Sequence, residues 1–384
     1  MSFLVTPPEI EGMPLLKLWM GQYKPFALST ESEGINSEFE VKFIYKDIQY
    51  RYGFSVNQYE IQKEYLYIKV DREVPVFIRN GNSIEFKKEH IDTFTYDLIT
   101  KKEWPKKHTT FIYSLSEFDN EIGKTVVDWF KSLSFINSNI EINPLDLENA
   151  FNDSSMKGLL LKFLSQFDIN IADINLVKKD IDTEGLPSEI KAMVAKGAKI
   201  DNNEYQTTHY KYNEYMERIS QEHFSLEKDE SLGTKRLLKL AIPMLKALST
   251  NGIIIVDELD SGVNMRILRI IISLFYSSNS RAQLIFNGQN THLLNMKMKD
   301  VFDENEYEDI EIEDKRLLST DQVFLIDKDR YGVSSITPLS FVDSKDLRGN
   351  IEEKLLSGKY DMGVPAISIR EIKKNLSIAK TIEF

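Results

Sequence analysis

Four consecutive β-branched aliphatics, Ile253 to Val256, run straight into three carboxylates within four positions, Asp257, Glu258 and Asp260. A strand with no polar face is expected inside a sheet covered on both sides, which is the environment of parallel strands in α/β proteins. The neighbouring pattern points the same way. From Ser231 a helix "GTKRLLKLAIPMLKAL", the strand "GIIIVDE", a helix "NMRILRIIISLFYSS", the strand "AQLIF" and a shorter strand "QVFLID" alternate in order. That order predicts an α/β fold built on a parallel sheet. The acidic cluster is either a surface turn or a set of carboxylates that a buried strand delivers to something cationic.

In open parallel sheets ligands bind beyond the carboxyl ends of the strands. An apolar run ending in Asp-Glu has the form of a Walker B motif. There the aspartate, here Asp257, holds the magnesium shell of a nucleotide, and the glutamate, Glu258, takes a proton from the attacking water. One aspartate is chemically sufficient, because Mg2+ keeps most of its waters. Upstream lies "ESLGTKRLLKLAIPML". Ser231 is a natural N-cap, Gly233 admits close approach of a ligand, and Thr234 adds a hydroxyl in the first turn. A helix start exposes unpaired N–H groups that favour anions. A simple cap would need only the serine, and an acidic strand end needs no ligand at all.

The chain divides into three regions: 1–100 strand-rich, 101–230 helical with a polar insertion, and 231–384 the α/β half. Period-two alternation around the Lys46-Asp47 turn, then "EYLYIKV" and "VPVFIRNGNSIEF" with a turn at Asn80-Gly81-Asn82, predict an antiparallel meander up to about Phe86. Helical spacing follows in "TVVDWFKSLSFI" and "SSMKGLLLKFLSQF". The stretch from about Asp168 to Asp229 reads as a peripheral or mobile polar insertion.

Charge and composition narrow the partners. Asp plus Glu outnumber Lys plus Arg by 60 to 48, a net charge of −12, so coating of nucleic acid by the whole surface is disfavoured and only a local groove stays open. "KKEWPKKH" (Lys101 to His108) is the one basic-aromatic candidate, and a solvated loop explains it as well. There is no cysteine, which removes disulfides and thiolate chemistry. No signal peptide and no membrane-spanning run is legible, so a cytoplasmic location is expected.

The run "SLGTKRLLKLAIPMLKALSTNGIIIVDELDSGVN" resembles the signature motif, Walker B and D-loop of ABC/SMC-like ATPases classed as AAA-type. More narrowly it is similar to the abortive-infection and restriction-linked (Rlo-type) ATPases of bacterial phage defence. "SEFEVKFIYKDIQYRYGF" and "KEYLYI" look like that group's strand-rich lobe; "STDQVFLIDKDRYGVSSI" and "LRGNIEEKLLSGKYDMGVP" look like its carboxyl-terminal segment. The likeness is weakest between Asp168 and Asn203. It implies an ABC/SMC-like P-loop ATPase head with an antiparallel β lobe and a helical insertion, using ATP and Mg2+. Asp257 would be the metal-side aspartate and Glu258 the base. Ser231, Gly233 and Thr234 would meet the γ-phosphate of a nucleotide held by a partner head, and Asp260 and Ser261 would form the D-loop at a dimer interface.

Two departures stand out. No G-x-x-x-x-G-K-[ST] pattern occurs, and in "EIGKTVVDWF" Phe118 stands where the first glycine of such a loop belongs, so Gly123-Lys124-Thr125 reads as a decoy. The family carries its P-loop ahead of the strand-rich lobe, and the expectation is that this chain begins after it. Secondly, Gln289 occupies the place of the family's switch histidine, with His292 three residues later. Glutamine donates a hydrogen bond but carries no charge. The expected function is a slowly hydrolysing, dimeric ATP switch that controls a separate effector. The alternative is a non-catalytic scaffold that dimerises through the same face with its nucleotide site lost.

Overall fold

The turn Lys46-Asp47 has positive φ at both residues, 51° and 63°, the geometry of a type I′ hairpin. It joins β1 (Ser37–Tyr45) to β2 (Ile48–Val56), with Tyr45 opposite Ile48. In this computed structural model, residues 1–7, 15–137, 144–167, 169–178, 203–276, 281–300, 315–342 and 347–357 are described. The chain divides into two units, residues 1–133 with 330–333, and 134–329 with 334–384.

In the first unit β3 (Ile61–Lys69), β4 (Glu73–Asn80) and β5 (Ser83–Phe86) extend the hairpin into an antiparallel meander of order β1-β2-β3-β4-β5. The turn at Gly81, φ 57°, lies where the sequence places it. Helices α1 (Ser2–Val5), α2 (Leu15–Gln22), α3 (Thr93–Lys101), α4 (Phe111–Glu117) and α5 (Glu121–Ser132) belong to the same unit. Phe43 of β1 stacks on Trp129 of α5 at 3.8 Å between ring centroids, and Phe77 of β4 meets Phe111 edge-on at 5.0 Å. The compact unit runs to residue 133 and takes in both the strand-rich region and the first helices. Aromatic packing between sheet and helices makes them one body.

A carboxylate sits inside this unit. Glu64 is fully buried and accepts hydrogen bonds from Tyr52 Oη (3.0 Å) and from the N–H groups of Phe111 (2.6 Å) and Ile112 (3.0 Å). It thereby satisfies donors at the start of α4 that the helix leaves unpaired. Arg79, equally buried, lies 3.4 Å from it and donates to the carbonyls of Gly81, Thr109 and Lys106.

The second unit contains α6 (Pro144–Asn152), α7 (Ser154–Ser165), α8 (Leu232–Thr250), α9 (Met265–Leu274) and α10 (Ile351–Leu356). Its sheet has the order β11-β10-β6, with β6 Leu133–Ile136, β10 Ile253–Val256 and β11 Gln283–Phe286. Strands β10 and β11 are parallel, Ile253 facing Gln283 and Val256 facing Phe286. Leu237, Leu240, Ala241 and Met244 of α8 share one core with Ile254, Val256, Leu268 and Ile272.

Several sequence expectations change here. "LSFI" continues a helical spacing, yet it forms β6, because an edge partner for β10 decides its backbone. "FLIDK" is β12 (Phe324–Lys328), paired antiparallel with β13 (Ser334–Pro338) in a separate two-stranded sheet instead of joining the parallel one. The short link between them can close a hairpin but not a parallel crossover. Asp327 is buried on that hairpin. Coverage of β10 and β11 is uneven among the described residues: Ile254 and Val256 are buried, while Ile285 is 54% exposed.

The polar insertion contains a sheet of order β7-β8-β9, with β7 Asp173–Lys178, β8 Asn203–Tyr212 and β9 Arg218–Ser225; residues 179–202 lie outside the described ones. Besides the backbone ladder, polar side chains link its strands, such as Thr208 with His223 (3.0 Å) and Ser225 with Glu204 (2.5 Å). That chemistry leaves little hydrophobic period to read.

Candidate functional site

Strand β10 is the middle strand of its sheet, and the chain leaves it at Val256. The Asp257 N–H still reaches Ile136 O of β6 (2.7 Å), so the first carboxylate residue is anchored to the strand end. Asp257 is exposed and Glu258 half-buried. Glu258 adopts φ 53°, a left-handed conformation uncommon outside glycine and costing on the order of 1 kcal/mol unless its surroundings hold it.

Three neighbours hold it. The Glu258 N–H donates to Asn287 Oδ1 (2.6 Å), and its carbonyl accepts from Arg236 Nη2 (3.1 Å) and from the Ser261 N–H (3.0 Å). Asn287, the residue after β11, also donates from Nδ2 to Asp257 Oδ1 (2.6 Å). Its backbone completes the joint, donating to Val256 O (3.2 Å) and accepting from Leu259 N (3.0 Å). Sequence reading passed over Asn287 altogether. The only available signal was its place at the end of a strand adjacent to the Asp-Glu strand.

Arg236 lies one turn into α8 and is only 8% exposed. Its Nη1 donates to Asn137 O (3.2 Å), and its Nε has no partner among the described residues. Burial pushes the guanidinium pKa down from its ordinary value, against the attraction of the Glu258 carboxylate. A residue of α8 is thus bonded to the backbone of Glu258.

At the start of α8, Ser231 Oγ accepts from Thr234 N (3.1 Å) and lies 2.9 Å from Thr234 Oγ1. Ser231 and Gly233 are exposed, while Thr234 is buried and spends its hydroxyl inside the turn. A Cβ on Gly233 would lie 3.9 Å from Gly262 O, so this turn touches the loop that follows Asp260. Just before it, Glu230 accepts from Thr207 Oγ1 (2.5 Å) and pairs with His209 Nε2 (2.7 Å), which ties β8 to the head of α8.

Asp260 is bound within its own chain. Its Oδ2 accepts from the N–H groups of Gln289 and Asn290, both at 2.7 Å. A Cβ at Gly288 would stand 3.0 Å from Asp260 Oδ1, so glycine permits this approach. Gln289 and Ser261 are exposed. His292 pairs instead with Glu352 of α10 (3.0 Å), away from the carboxylates. Direct bonds therefore join Asp257, Glu258 and Asp260 to residues 287–290. Ser231 reaches them only through the turn around Gly233 and Arg236.

Among the described residues no cluster of three or more Asp, Glu or His could cage a metal ion. An exposed Asp257 with one oxygen fixed by Asn287 suits Mg2+ held mainly by phosphates and water. Gly123-Lys124-Thr125 and "KKEWPKKH" both lie in the first unit. Gly123 lies inside α5, where a Cβ would meet Ser116 N at 2.5 Å and Leu115 Cβ at 2.6 Å, so its glycine serves close helix packing. Lys124 pairs with Asp119 (2.6 Å). Gly123→Ala is expected to destabilise the first unit by about 1–3 kcal/mol through overpacking, seen as a lower urea midpoint. An unchanged midpoint would refute that account. In "KKEWPKKH" the carbonyls of Lys106 and Lys107 accept from Arg79 and Ile61, and Trp104 lies against Tyr113, so the segment is a structural loop.

No helix among the described residues is long and apolar enough to cross a membrane. No curated protein matches the chain. A family model does match it, over residues 24–295, which takes in the meander, α8, the Asp-Glu turn and the 287–290 segment. By that match the chain belongs to the family described as "AAA domain, putative AbiEii toxin, Type IV TA system".

Proposed function

We propose that this chain is an ATPase head that works as a two-headed, slowly hydrolysing switch and controls a separate effector protein in a bacterial abortive-infection system. The observation that carries the reading is the joint described above. A central strand ends in an Asp-Glu turn that is bonded to the first turns of α8 through Arg236 and to the 287–290 segment through Asn287 and Asp260. Such a joint supports a site where helix donors and carboxylates act on one polyphosphate.

Asp257 would hold Mg2+ and Glu258 would accept the proton of the attacking water. The metal, when bound, neutralises charge on the phosphate oxygens. Ser231 and Gly233, exposed at a helix start, would meet the γ-phosphate of a nucleotide on the partner head, with Thr234 shaping the turn behind them. Asp260 and Ser261 would lie at the interface, Asp260 carrying Gln289 with it. Gln289 can donate a hydrogen bond to phosphate without adding charge, which favours slow turnover. The toxin–antitoxin description of the family supports a partner protein as effector.

The second reading, a dimerising scaffold without catalysis, draws on the absence of a G-x-x-x-x-G-K-[ST] pattern in these 384 residues. Light scattering separates the two. The switch reading expects Mg-ATP to convert monomer to dimer, and Ser231→Arg to abolish that conversion by placing a bulky side chain at the phosphate. Assembly that ignores ATP favours the scaffold, and normal ATP-dependent assembly of Ser231→Arg removes the two-headed site.

A further inference from the structure

We propose that Asn287 is a positioning residue that orients Asp257 and Glu258 as one unit, an inference that rests on reading this turn as the nucleotide site. The argument starts from the geometry of an amide. Asn287 Oδ1 accepts the Glu258 N–H at 2.6 Å, and Nδ2 donates to Asp257 Oδ1 at 2.6 Å. An N–H can only donate and a carboxylate only accept, so these partners fix which end of the amide is which. Both contacts belong to one planar amide, so a single side chain orients both partners.

Few other side chains can do this. Threonine or serine offers a single hydroxyl, aspartate has no donor when ionised, and leucine has neither group. The backbone of Asn287 is itself pinned by Val256 O and Leu259 N, which removes play from the amide at its base. The left-handed Glu258 backbone, φ 53°, is the part that most needs holding. With its N–H on Asn287 and its carbonyl on Arg236, the peptide groups on both sides of its Cα are clamped. The Asp257 carboxylate is otherwise exposed, so the bond to Nδ2 sets its plane while leaving it open to a ligand. Metal-binding groups oriented in this way by an outer partner commonly lose affinity when that partner is removed.

Two substitutions separate the two halves of the amide. Asn287→Ala loses both bonds. Asn287→Asp keeps an acceptor for the Glu258 N–H but puts a second carboxylate against Asp257. Hydrogen exchange of the full chain, read by mass spectrometry, measures the first half. Asn287→Ala is expected to speed exchange at Glu258 about tenfold, the loss of one hydrogen bond of ordinary net strength, while Asn287→Asp stays near wild type. Segments of the meander should exchange alike in all three proteins. Wild-type protection in Asn287→Ala, or equal loss in both variants, overturns the proposal.

The second half is read from the Mg2+ concentration that gives half-maximal ATP-dependent assembly. Asn287→Ala is expected to raise it about tenfold. An unchanged Mg2+ requirement overturns the positioning of Asp257. If wild type does not assemble with Mg-ATP, the switch reading fails, and the exchange result alone decides whether Asn287 holds the turn.

Discussion

Arg79→Met is expected to lower the stability of the first unit by about 3–5 kcal/mol, because it leaves a buried carboxylate without its counter-charge. Glu64 and Arg79 are both buried, and neither can relax into solvent without opening the meander. The substitution also removes the donor to the Gly81 carbonyl and to those of Thr109 and Lys106, the last two of which tie the segment before α4 to β4. All three tryptophans, Trp19, Trp104 and Trp129, lie in this unit, so intrinsic fluorescence during urea unfolding reports on it selectively.

The loss should depend on pH, with a definite sign. Burial pushes the Glu64 carboxyl up from its ordinary value, while the Arg79 charge and the Phe111 and Ile112 N–H groups pull it down. A carboxyl whose pKa is raised by folding contributes stability that is fully present below its unfolded value, near 4.5, and lost as pH rises through the folded value. Removing Arg79 takes away the main opposing charge and raises the folded value further. The deficit of Arg79→Met should therefore shrink toward pH 4.5 and grow toward neutrality. A deficit that is constant with pH, or a midpoint equal to wild type, would show that the pair does not carry this load.

Glu258→Gln is expected to reduce ATP turnover by at least about a hundredfold, the usual contribution of a positioned general base, while nucleotide-dependent assembly persists or strengthens. The amide keeps the size of the side chain and leaves the backbone clamp of Asn287 and Arg236 in place, since both contacts are to the peptide and not to the carboxylate. Phosphate release under single-turnover conditions, paired with light scattering, reads both effects. Wild-type turnover is itself expected to be low, for want of a phosphate-wrapping loop pattern in the sequence. Robust Mg2+-dependent turnover that survives Glu258→Gln and is lost in Lys124→Ala would move the site to Gly123-Lys124-Thr125. Turnover at background in wild type, with assembly indifferent to ATP, would favour the scaffold.

What the amino-acid order determined by itself was local. The turn at Lys46-Asp47, the alternating strands up to Phe86, and the helix from Leu232 capped by Ser231 all follow from periodicity and turn chemistry between near neighbours. So does the delivery of Asp257 and Glu258 to the end of a strand, which the structure places in the middle of its sheet. The tertiary structure alone decided which polar groups hold these pieces. Glu64 caps α4 from a strand 47 residues away, Arg236 reaches Glu258 across 22 residues, and Asn287 reaches it across 29. It also made "LSFI" a strand and turned "FLIDK" away from the parallel sheet. The reason is physical: a hydrophobic period is written into consecutive residues, whereas a hydrogen bond between distant residues needs one donor and one acceptor of the right shape and leaves no period to read.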